Sequence, residues 1–248
     1  MRRLPKRGLA FSVFWVYQYL YCGLASTRAY LTNYLIPIAF NSNIILPIAL
    51  AIFNNPIMIK AKADDKAWVV NLLSQAFDEN QSVNYIVLQD KNRKKRVKAL
   101  MEYSFDICSM FGEVWLSDDR QACALIFYPE KKKITFKSIY FDIKLILKTI
   151  GITRISRALQ REANIKAKQP KICMSYLWFI GVNPSHQKHG IGSKLLQEII
   201  EYAKQQDRPV FLETSTLKNL PWYERFGFKI YDKLELGYTL YFLSNNPA

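Results

Sequence analysis

The chain has 248 residues, with 35 Lys and Arg against 20 Asp and Glu, a net charge of +15, and 50% hydrophobic residues. This balance is typical of a folded globular protein and excludes a wholly disordered or collagen-like chain. Its four cysteines, Cys22, Cys108, Cys123 and Cys173, form no Cys-x-x-Cys pair, and the chain has only two histidines. We therefore expect no disulfide scaffold and no zinc site, and favour a reduced, cytoplasmic protein.

Residues 1–57 differ in composition from the rest of the chain. They contain five basic residues and no acidic one, and residues 8–27 form an uncharged run of 20. Such a run just reaches the ~20 residues that span a bilayer, and the four basic residues before it favour a cytoplasmic N-terminus. A membrane anchor with its domain on the cytoplasmic side, a signal peptide and a leader from an early start codon all remain open. We favour the leader, with the working domain at 58–248.

The first half of this domain is predicted to contain a short strand, two helices and a hairpin. Apolar residues recur at spacings of three and four in both helices, and a polar break at 78–82 separates them. The turn 117–119 joins two strand-like runs. In order, these elements are Ile57–Ala61, Asp65–Phe77, Lys91–Met110, Glu113–Leu116 and Ala122–Tyr128.

The second half opens with two predicted helices between Phe136 and Lys166, divided by Gly151. The first of them carries an apolar stripe of Phe136, Ile139, Tyr140, Ile143, Leu147 and Ile150. A strongly apolar strand follows, which indicates burial on both faces. From there the predicted elements are a strand at Tyr176–Val182, a helix at Gly190–Lys204, a strand at Pro209–Ser215, a short helix at Pro221–Phe226, and strands at Phe228–Tyr231 and Tyr238–Phe242. This order predicts an α/β domain with a mixed sheet.

A pair of glycines marks the step from the apolar strand to the next helix. The first amides of a helix lack intrahelical acceptors and attract phosphate, and Gly190 and Gly192 leave room for an anion at the backbone. Lys188 and Lys194 add positive charge. The spacing does not fit a P-loop, because Ser193 and then Lys194 follow Gly192, nor does it fit a dinucleotide fingerprint. Phosphate binding and a plain tight turn both remain open on these residues alone.

Several motifs in this region together resemble those of the GCN5-related N-acetyltransferases (GNAT). Gln187-Lys-His-Gly-Ile-Gly192 is similar to the family's Gln/Arg-x-x-Gly-x-Gly/Ala signature, and it stands between a Val-x-Pro strand end and a helix. Val210–Ser215, Asn219 and Tyr223-Glu-Arg-Phe-Gly-Phe228 follow in the family's order. The resemblance is strongest over 176–228. It implies a mostly antiparallel sheet with a splayed central strand pair, flanked by helices.

The resemblance also implies acetyl-CoA as the cosubstrate, with no metal. Its pyrophosphate is expected on the signature loop, and its pantetheine arm on the open edge of the preceding strand, where Gly181 suits a bulge. A side-chain contact with the CoA arm is expected from Asn219. The implied CoA-binding residues are Phe179, Ile180, Val182, Gln187, Lys188, His189, Gly190, Ile191, Gly192, Ser193 and Asn219.

Two residues are assigned to proton transfer. Tyr223 matches the family's proton donor to the leaving thiolate; the alternative is a buried aromatic residue before a Gly-Phe turn. The apolar strand lacks the acid that serves as base in some relatives. Strand alternation puts Glu213 on one face with Phe211 and Ser215, so Glu213 is the first candidate for the base, with an ion-paired strand carboxylate as the alternative. Weaker candidates are Asp78, Glu79 and Glu113.

We therefore interpret 58–248 as a GNAT-like domain that acetylates an amine by direct attack. A small-molecule acceptor is preferred over a protein lysine, with 78–90 and 136–166 shaping its pocket. Two rival hypotheses are a nucleic-acid-binding protein using Lys91–Arg96 and Lys131–Lys133, and a membrane-tethered binding protein without transfer activity. No recognised nucleic-acid module accompanies these basic runs.

Overall fold

The computed structural model describes residues 58–246 of the chain. The predictions made for residues 1–57 lie outside this range. A seven-stranded sheet forms the centre, with the strand order β1-β2-β3-β4-β5-β7-β6. Only β4 and β5 pair in parallel; the other described neighbours are antiparallel. The strands are β1 (Ile59–Lys60), β2 (Gly112–Leu116), β3 (Ala122–Phe127), β4 (Ser175–Val182), β5 (Val210–Thr214), β6 (Lys229–Glu235) and β7 (Thr239–Ser244). The predicted mixed, mostly antiparallel sheet is confirmed.

Seven α-helices within 58–246 surround the sheet. They are α1 (Lys66–Ala76), α2 (Gln81–Ile86), α3 (Arg93–Phe111), α4 (Phe136–Leu145), α5 (Ile155–Lys168), α6 (Ile191–Gln205) and α7 (Leu220–Glu224). A π-helical turn, Ile146–Ile150, extends α4 and ends at Gly151, whose φ of 79° divides the two predicted helices as expected. The short helix α2 is a correction, because its residues were predicted to lie in and after a polar break.

The central strands β4 and β5 separate after two residue pairs. Ser175 pairs with Val210 and Tyr176 with Phe211, whereas the rest of β4 pairs only with β3 on its other side. The edge of β4 that faces β5 is therefore unpaired from Leu177 to Val182. We call this gap the seam. It is the splayed strand pair that the family resemblance implied.

A bulge in β4 lies at Trp178, not at Gly181, where we predicted it. Leu177 pairs with Ile126 and Phe179 with Leu125, so Trp178 is the extra residue on the bulged strand. Gly181 serves a different purpose. A Cβ atom there would lie 2.8 Å from Cδ2 of Leu73 on α1, so glycine allows the helix to pack closely on the strand.

The sheet has a hydrophobic core on each face. One core joins α6 and α7 to β4 and β5, and it includes Leu195, Ile199 and Leu212, all nearly inaccessible to solvent. The other joins α1 and α3 to β2, β3 and Phe179. Burying each such large apolar side chain contributes about 1.5–3 kcal/mol, so both layers hold the seam strands in place.

The predicted apolar stripe on α4 is largely exposed. Ile150 is buried, but the other five residues of the stripe are exposed to solvent. The helix instead packs on α3 through Phe141, which contacts Ile107 and Phe111. The spacing of the apolar residues therefore predicted the helix correctly, but it did not show whether the apolar side of the helix is buried.

Within residues 58–246, no helix is long and apolar enough to cross a bilayer. The same part of the chain holds no group of three or more His, Cys, Asp or Glu side chains placed to bind a metal ion.

Candidate active site

The glycine loop leads directly into the N-terminus of α6. Gly190 is the N-cap residue, with φ 80° and ψ −6°, a left-handed conformation that favours glycine. The first bond of the helix runs from the Lys194 amide to the Gly190 carbonyl. The amides of Ile191, Gly192 and Ser193 therefore lack intrahelical acceptors, and the positive end of the helix dipole adds to their attraction for an anion.

Gly192 is constrained by close packing. A Cβ atom on it would lie 2.9 Å from Cγ2 of Val182, at the end of β4. A Cβ atom on Gly190 would have no atom within 4 Å, so there the backbone conformation alone favours glycine. The two glycines thus meet different requirements of one turn, which brings the α6 amides close to the end of the seam.

The two lysines of the loop have different surroundings. Lys194 forms an ion pair of 2.6 Å with Asp118, and the carboxylate compensates the positive charge of the lysine. Lys188 is exposed, has a positive φ of 67°, and makes no ion pair within the described residues. Lys188 is therefore the better placed of the two to attract a phosphate.

The remaining loop residues are accessible or tied to neighbouring elements. Gln187 donates to the Val182 carbonyl at 3.4 Å, and Ser193 accepts from the Trp222 indole of α7 at 2.9 Å. His189 is exposed, as is His186, whose ring contacts the Ser185 hydroxyl. The Trp222 contact fixes α7 against the loop.

The three strand residues predicted to bind the pantetheine arm lie on the seam. Phe179, Ile180 and Val182 lie beyond the last pair that joins β4 to β5. Asn219 occupies the N-cap position of α7, and its side chain caps no helix amide. Its amide group is thus available to a ligand.

The Tyr223 side chain is packed among aromatic rings. Its ring centroid lies 4.7 Å from that of Trp222 and 5.7 Å from that of Phe228. Only 6% of the residue is exposed, and the hydroxyl makes no hydrogen bond within 58–246. Burial raises the pKa of Tyr223, so the hydroxyl stays protonated at neutral pH. It is therefore an unengaged donor held by rigid packing.

Glu213 is bound on both of its oxygen atoms. The hydroxyl of Tyr176 on β4 donates to Oε2, and Nε2 of Gln169, just after α5, donates to Oε1 at 2.9 Å. Burial raises the pKa of Glu213, although both hydrogen bonds act in the opposite direction. The carboxyl group therefore bridges β4, β5 and the end of α5, next to the point where the seam opens.

The three weaker candidates for the base differ from Glu213 in their position and their partners. Asp78 pairs with Arg93 at 2.7 Å, and Glu79 is exposed. Glu113 belongs to β2, two strands away from β4. Burial opposes the ionisation of Glu113, but hydrogen bonds from Lys60, Tyr128 and Tyr202 outweigh it and lower its pKa.

Helix α2 is fastened over the open end of β5 by two arginines. Arg161 of α5 donates to the Ser82 hydroxyl at 2.6 Å and to the Tyr238 hydroxyl at 3.2 Å. Arg154 donates to the carbonyls of Tyr85 and Val87. The Ser82 amide also donates to the Ser215 hydroxyl, just after β5, at 3.4 Å. We call this arrangement the α2 clamp.

Sequence reasoning missed Tyr176, Gln169 and the α2 clamp. The pairing of Tyr176 with Glu213 depends on the register of a parallel strand pair, which no local pattern encodes. A sequence signal did exist for the clamp. Arg157 and Arg161 share one face of α5, and Arg154, three residues before Arg157, is the N-cap residue of the same helix.

Comparisons with known proteins agree with the motifs. Residues 158–228 match the model of a family described as the acetyltransferase (GNAT) family. A Schizosaccharomyces pombe protein described as an uncharacterized N-acetyltransferase is 42% identical over 53 residues, which are 21% of this chain and 22% of that protein. The match thus spans about a fifth of the length of that relative.

Solved structures share the fold at low sequence identity. A Corynebacterium glutamicum structure described as histone acetyltransferase HPA2 and related acetyltransferase superposes with a TM-score of 0.56 and 18% identity, covering 78% of this chain and 97% of that one. The C-terminal condensation domain of Ebony gives a TM-score of 0.54 and 8% identity, covering 75% of this chain and 96% of that one. The resemblance that the motifs indicated is therefore confirmed: residues 158–228 match the GNAT family model, and the described domain shares its fold with these solved structures.

Proposed function

We propose that this protein transfers the acetyl group of acetyl-CoA to an amine. The observation that carries the proposal is the seam: the edge of β4 is unpaired from Leu177 onward, and it ends at the free amides of α6. A pantetheine arm is an amide-bearing chain and can pair with such an edge. The α6 amides suit a diphosphate. The family match over 158–228 supports acetyl-CoA as the ligand.

In this proposal the acceptor amine attacks the thioester carbonyl directly. Backbone N–H groups at the seam polarise that carbonyl as charge develops on its oxygen. An acyl-enzyme is not favoured, because Cys108 and Cys123 are buried, with the pKa of both thiols raised by burial, and the exposed Cys173 precedes β4 and lies outside the seam. A buried neutral thiol is a poor nucleophile.

Tyr223 and Glu213 serve the two proton movements. A lysine-like amine has a pKa near ~10.4 and must lose a proton before it attacks, and Glu213 accepts that proton directly or through a water molecule. The Tyr223 hydroxyl donates a hydrogen bond to the leaving thiolate. Because an ordinary thiol has a pKa near ~8.5, well below that of a buried tyrosine, stabilisation by this hydrogen bond is the main effect.

The α2 clamp supports a small-molecule acceptor. With α2 held over the end of β5 by Arg154 and Arg161, the acceptor side of the seam is covered by a helix. A covered site suits a compact amine better than an extended protein segment, which needs an open groove.

Calorimetric titration with acetyl-CoA, followed by an assay against a panel of amines, tests the proposal. Gly192→Val places its side chain against Val182, and we expect it to weaken acetyl-CoA binding by about tenfold or more, since the loop must move. Gly237→Ala is the control away from the loop, because this glycine lies in the β6–β7 turn and a Cβ atom there would have no atom within 4 Å. Unchanged affinity in Gly192→Val, or no saturable binding by the wild type, contradicts the proposal.

A further inference from the structure

The large exposed apolar side chains of the described residues are concentrated in one part of the chain. Phe136 is 95% exposed and Leu147 is 59% exposed. A globular protein seldom leaves such residues together in water unless they bind something. The members of this group are Ile134, Phe136, Ile139, Tyr140, Ile143, Leu147, Ile152 and Leu159.

Helix α4 presents most of this group on its outer side. Its inner side is occupied, because Phe141 packs on α3 and Asp142 accepts a hydrogen bond of 2.7 Å from Tyr103. Phe136, Tyr140 and Leu147 lie on the other side, at helical spacings of four and seven, although the Tyr140 ring also packs on that of Phe141, with centroids 5.7 Å apart. We call this outer side the α4 face. It is an apolar stripe whose side chains are exposed in the described part of the chain.

Lysines border the α4 face. At 100° per residue, Lys137 and Lys144 fall along one edge of the apolar stripe, and Lys148 follows on the π-helical turn that extends α4. Lys144 pairs with Glu102, whereas Lys137 and Lys148 make no ion pair within 58–246. The run Lys131–Lys133 precedes the helix and is exposed.

A shallow basic groove continues this edge onto α3. It has a volume of about 420 Å³, and its lining includes Lys95, Lys98 and Lys148, which make no ion pair within 58–246, together with Glu102, which pairs with Lys144. The apolar stripe therefore lies beside a group of uncompensated positive charges. That combination is typical of a helix that rests in the plane of a bilayer, with its lysines at the headgroups.

We propose that the α4 face docks this domain on a membrane surface that carries anionic lipids. Phe136 and Leu147 enter the boundary between headgroups and acyl chains, Tyr140 lies at headgroup level, and the lysines contact the anionic headgroups. A second copy of the chain fits less well, because self-association would bring the same lysines together. The composition of residues 1–57, with five basic residues, no acidic residue and long apolar runs, favours the same surroundings.

Co-sedimentation of the full chain with lipid vesicles tests this proposal. The vesicles contain phosphatidylcholine alone or with about one-third phosphatidylserine, and we expect binding mainly to the second kind, weakening as salt is added. The triple variant F136S/Y140S/L147S is expected to bind at least about tenfold more weakly. Lys137→Gln with Lys148→Gln should cost roughly fivefold per lysine. Ile172→Ser removes an exposed apolar side chain outside the α4 face and is the control.

Two further measurements keep the result interpretable. All substituted positions are exposed, so the thermal unfolding of the variants should match that of the wild type. A photoactivatable phospholipid should label residues 134–148. Full binding by the triple variant, labelling confined to other residues, or a dimer that dissociates on the same substitutions would each overturn the proposal, the last by showing that the face joins two copies.

Discussion

The hydroxyl of Tyr223 and the carboxyl group of Glu213 lie in opposite environments. Tyr223 packs against the rings of Trp222 and Phe228 but has no hydrogen-bond partner among the described residues. Glu213 has partners on both oxygens, one from β4 and one from the end of α5. An unengaged donor is free to meet a leaving group, whereas a bridged carboxylate is held in place and has its pKa set by its partners.

Replacing Tyr223 with Phe removes the hydroxyl and keeps the ring. We expect kcat to fall by roughly 10²-fold, since the thiolate loses its donor, while the affinity for acetyl-CoA and the unfolding temperature stay close to wild type. Tyr202→Phe is the matched control, because that hydroxyl binds Glu113 on β2. Steady-state kinetics with a fixed amine measures the difference. Equal kcat in Tyr223→Phe and wild type would remove this residue from the chemistry.

The pH dependence of kcat/KM tests the role of Glu213. A base must be deprotonated, and burial raises the pKa of Glu213, so activity should be lost, as pH falls, at a pH above the ordinary glutamate range. The hydrogen bond from Tyr176 stabilises the charged carboxylate. Tyr176→Phe should therefore move the acid limb to higher pH, and Glu213→Gln should lower kcat across the whole range. An acid limb that does not move in Tyr176→Phe would assign the base to another group.

The glycine loop was predictable because its requirements depend on residues that are adjacent in sequence. Gly190 and Gly192 were assigned from sequence because a strand-to-helix turn that offers amides to an anion needs small residues at fixed positions. The contact between Tyr176 and Glu213 was not predictable, since it joins residues 37 positions apart across a parallel pair. The bulge was placed at Gly181 because glycine often marks bulges, but close packing by α1 accounts for that glycine.

At the scale of elements, the proposed function assigns acetyl-CoA to the seam and the acceptor amine to the region beside the α2 clamp. The seam is set by where β4 and β5 stop pairing, and the family resemblance implied it. The clamp was missed, because α2 has only six residues and is too short to be stable alone. Tertiary hydrogen bonds from α5 hold it in place. The two arrangements should therefore be separable by mutation.

Arg161→Ala removes the hydrogen bonds to Ser82 and Tyr238 and loosens α2. We expect the KM of the acceptor to rise by about tenfold, in line with the ~1.5–3 kcal/mol of hydrogen bonds from a charged donor, with acetyl-CoA affinity unchanged. Lys166→Ala on the same helix is the control, since that lysine pairs only with the exposed Glu162. Equal acceptor KM values for Arg161→Ala and the control would show that α2 does not border the acceptor site.

At the scale of the whole molecule, basic residues of the described domain lie at both of the binding surfaces that we propose. The net charge of +15 does not by itself identify a ligand. Within the described domain, Lys188 lies at the glycine loop, where a polyanionic cosubstrate is expected, whereas the lysines of α3 and α4 border an apolar face. Periodicity predicted α4 but not its exposure, because an apolar stripe looks the same in sequence whether protein or another surface covers it.

Amide hydrogen exchange on the full chain, with and without CoA, tests the central claim most directly. If CoA enters the seam, exchange should slow in Leu177–Val182 and in the first turn of α6, because those backbone amides gain acceptors from the ligand. The paired segment of β4 and the distant strand β2 should not change. Slowed exchange confined to other regions, at a CoA concentration that saturates binding, would contradict the account.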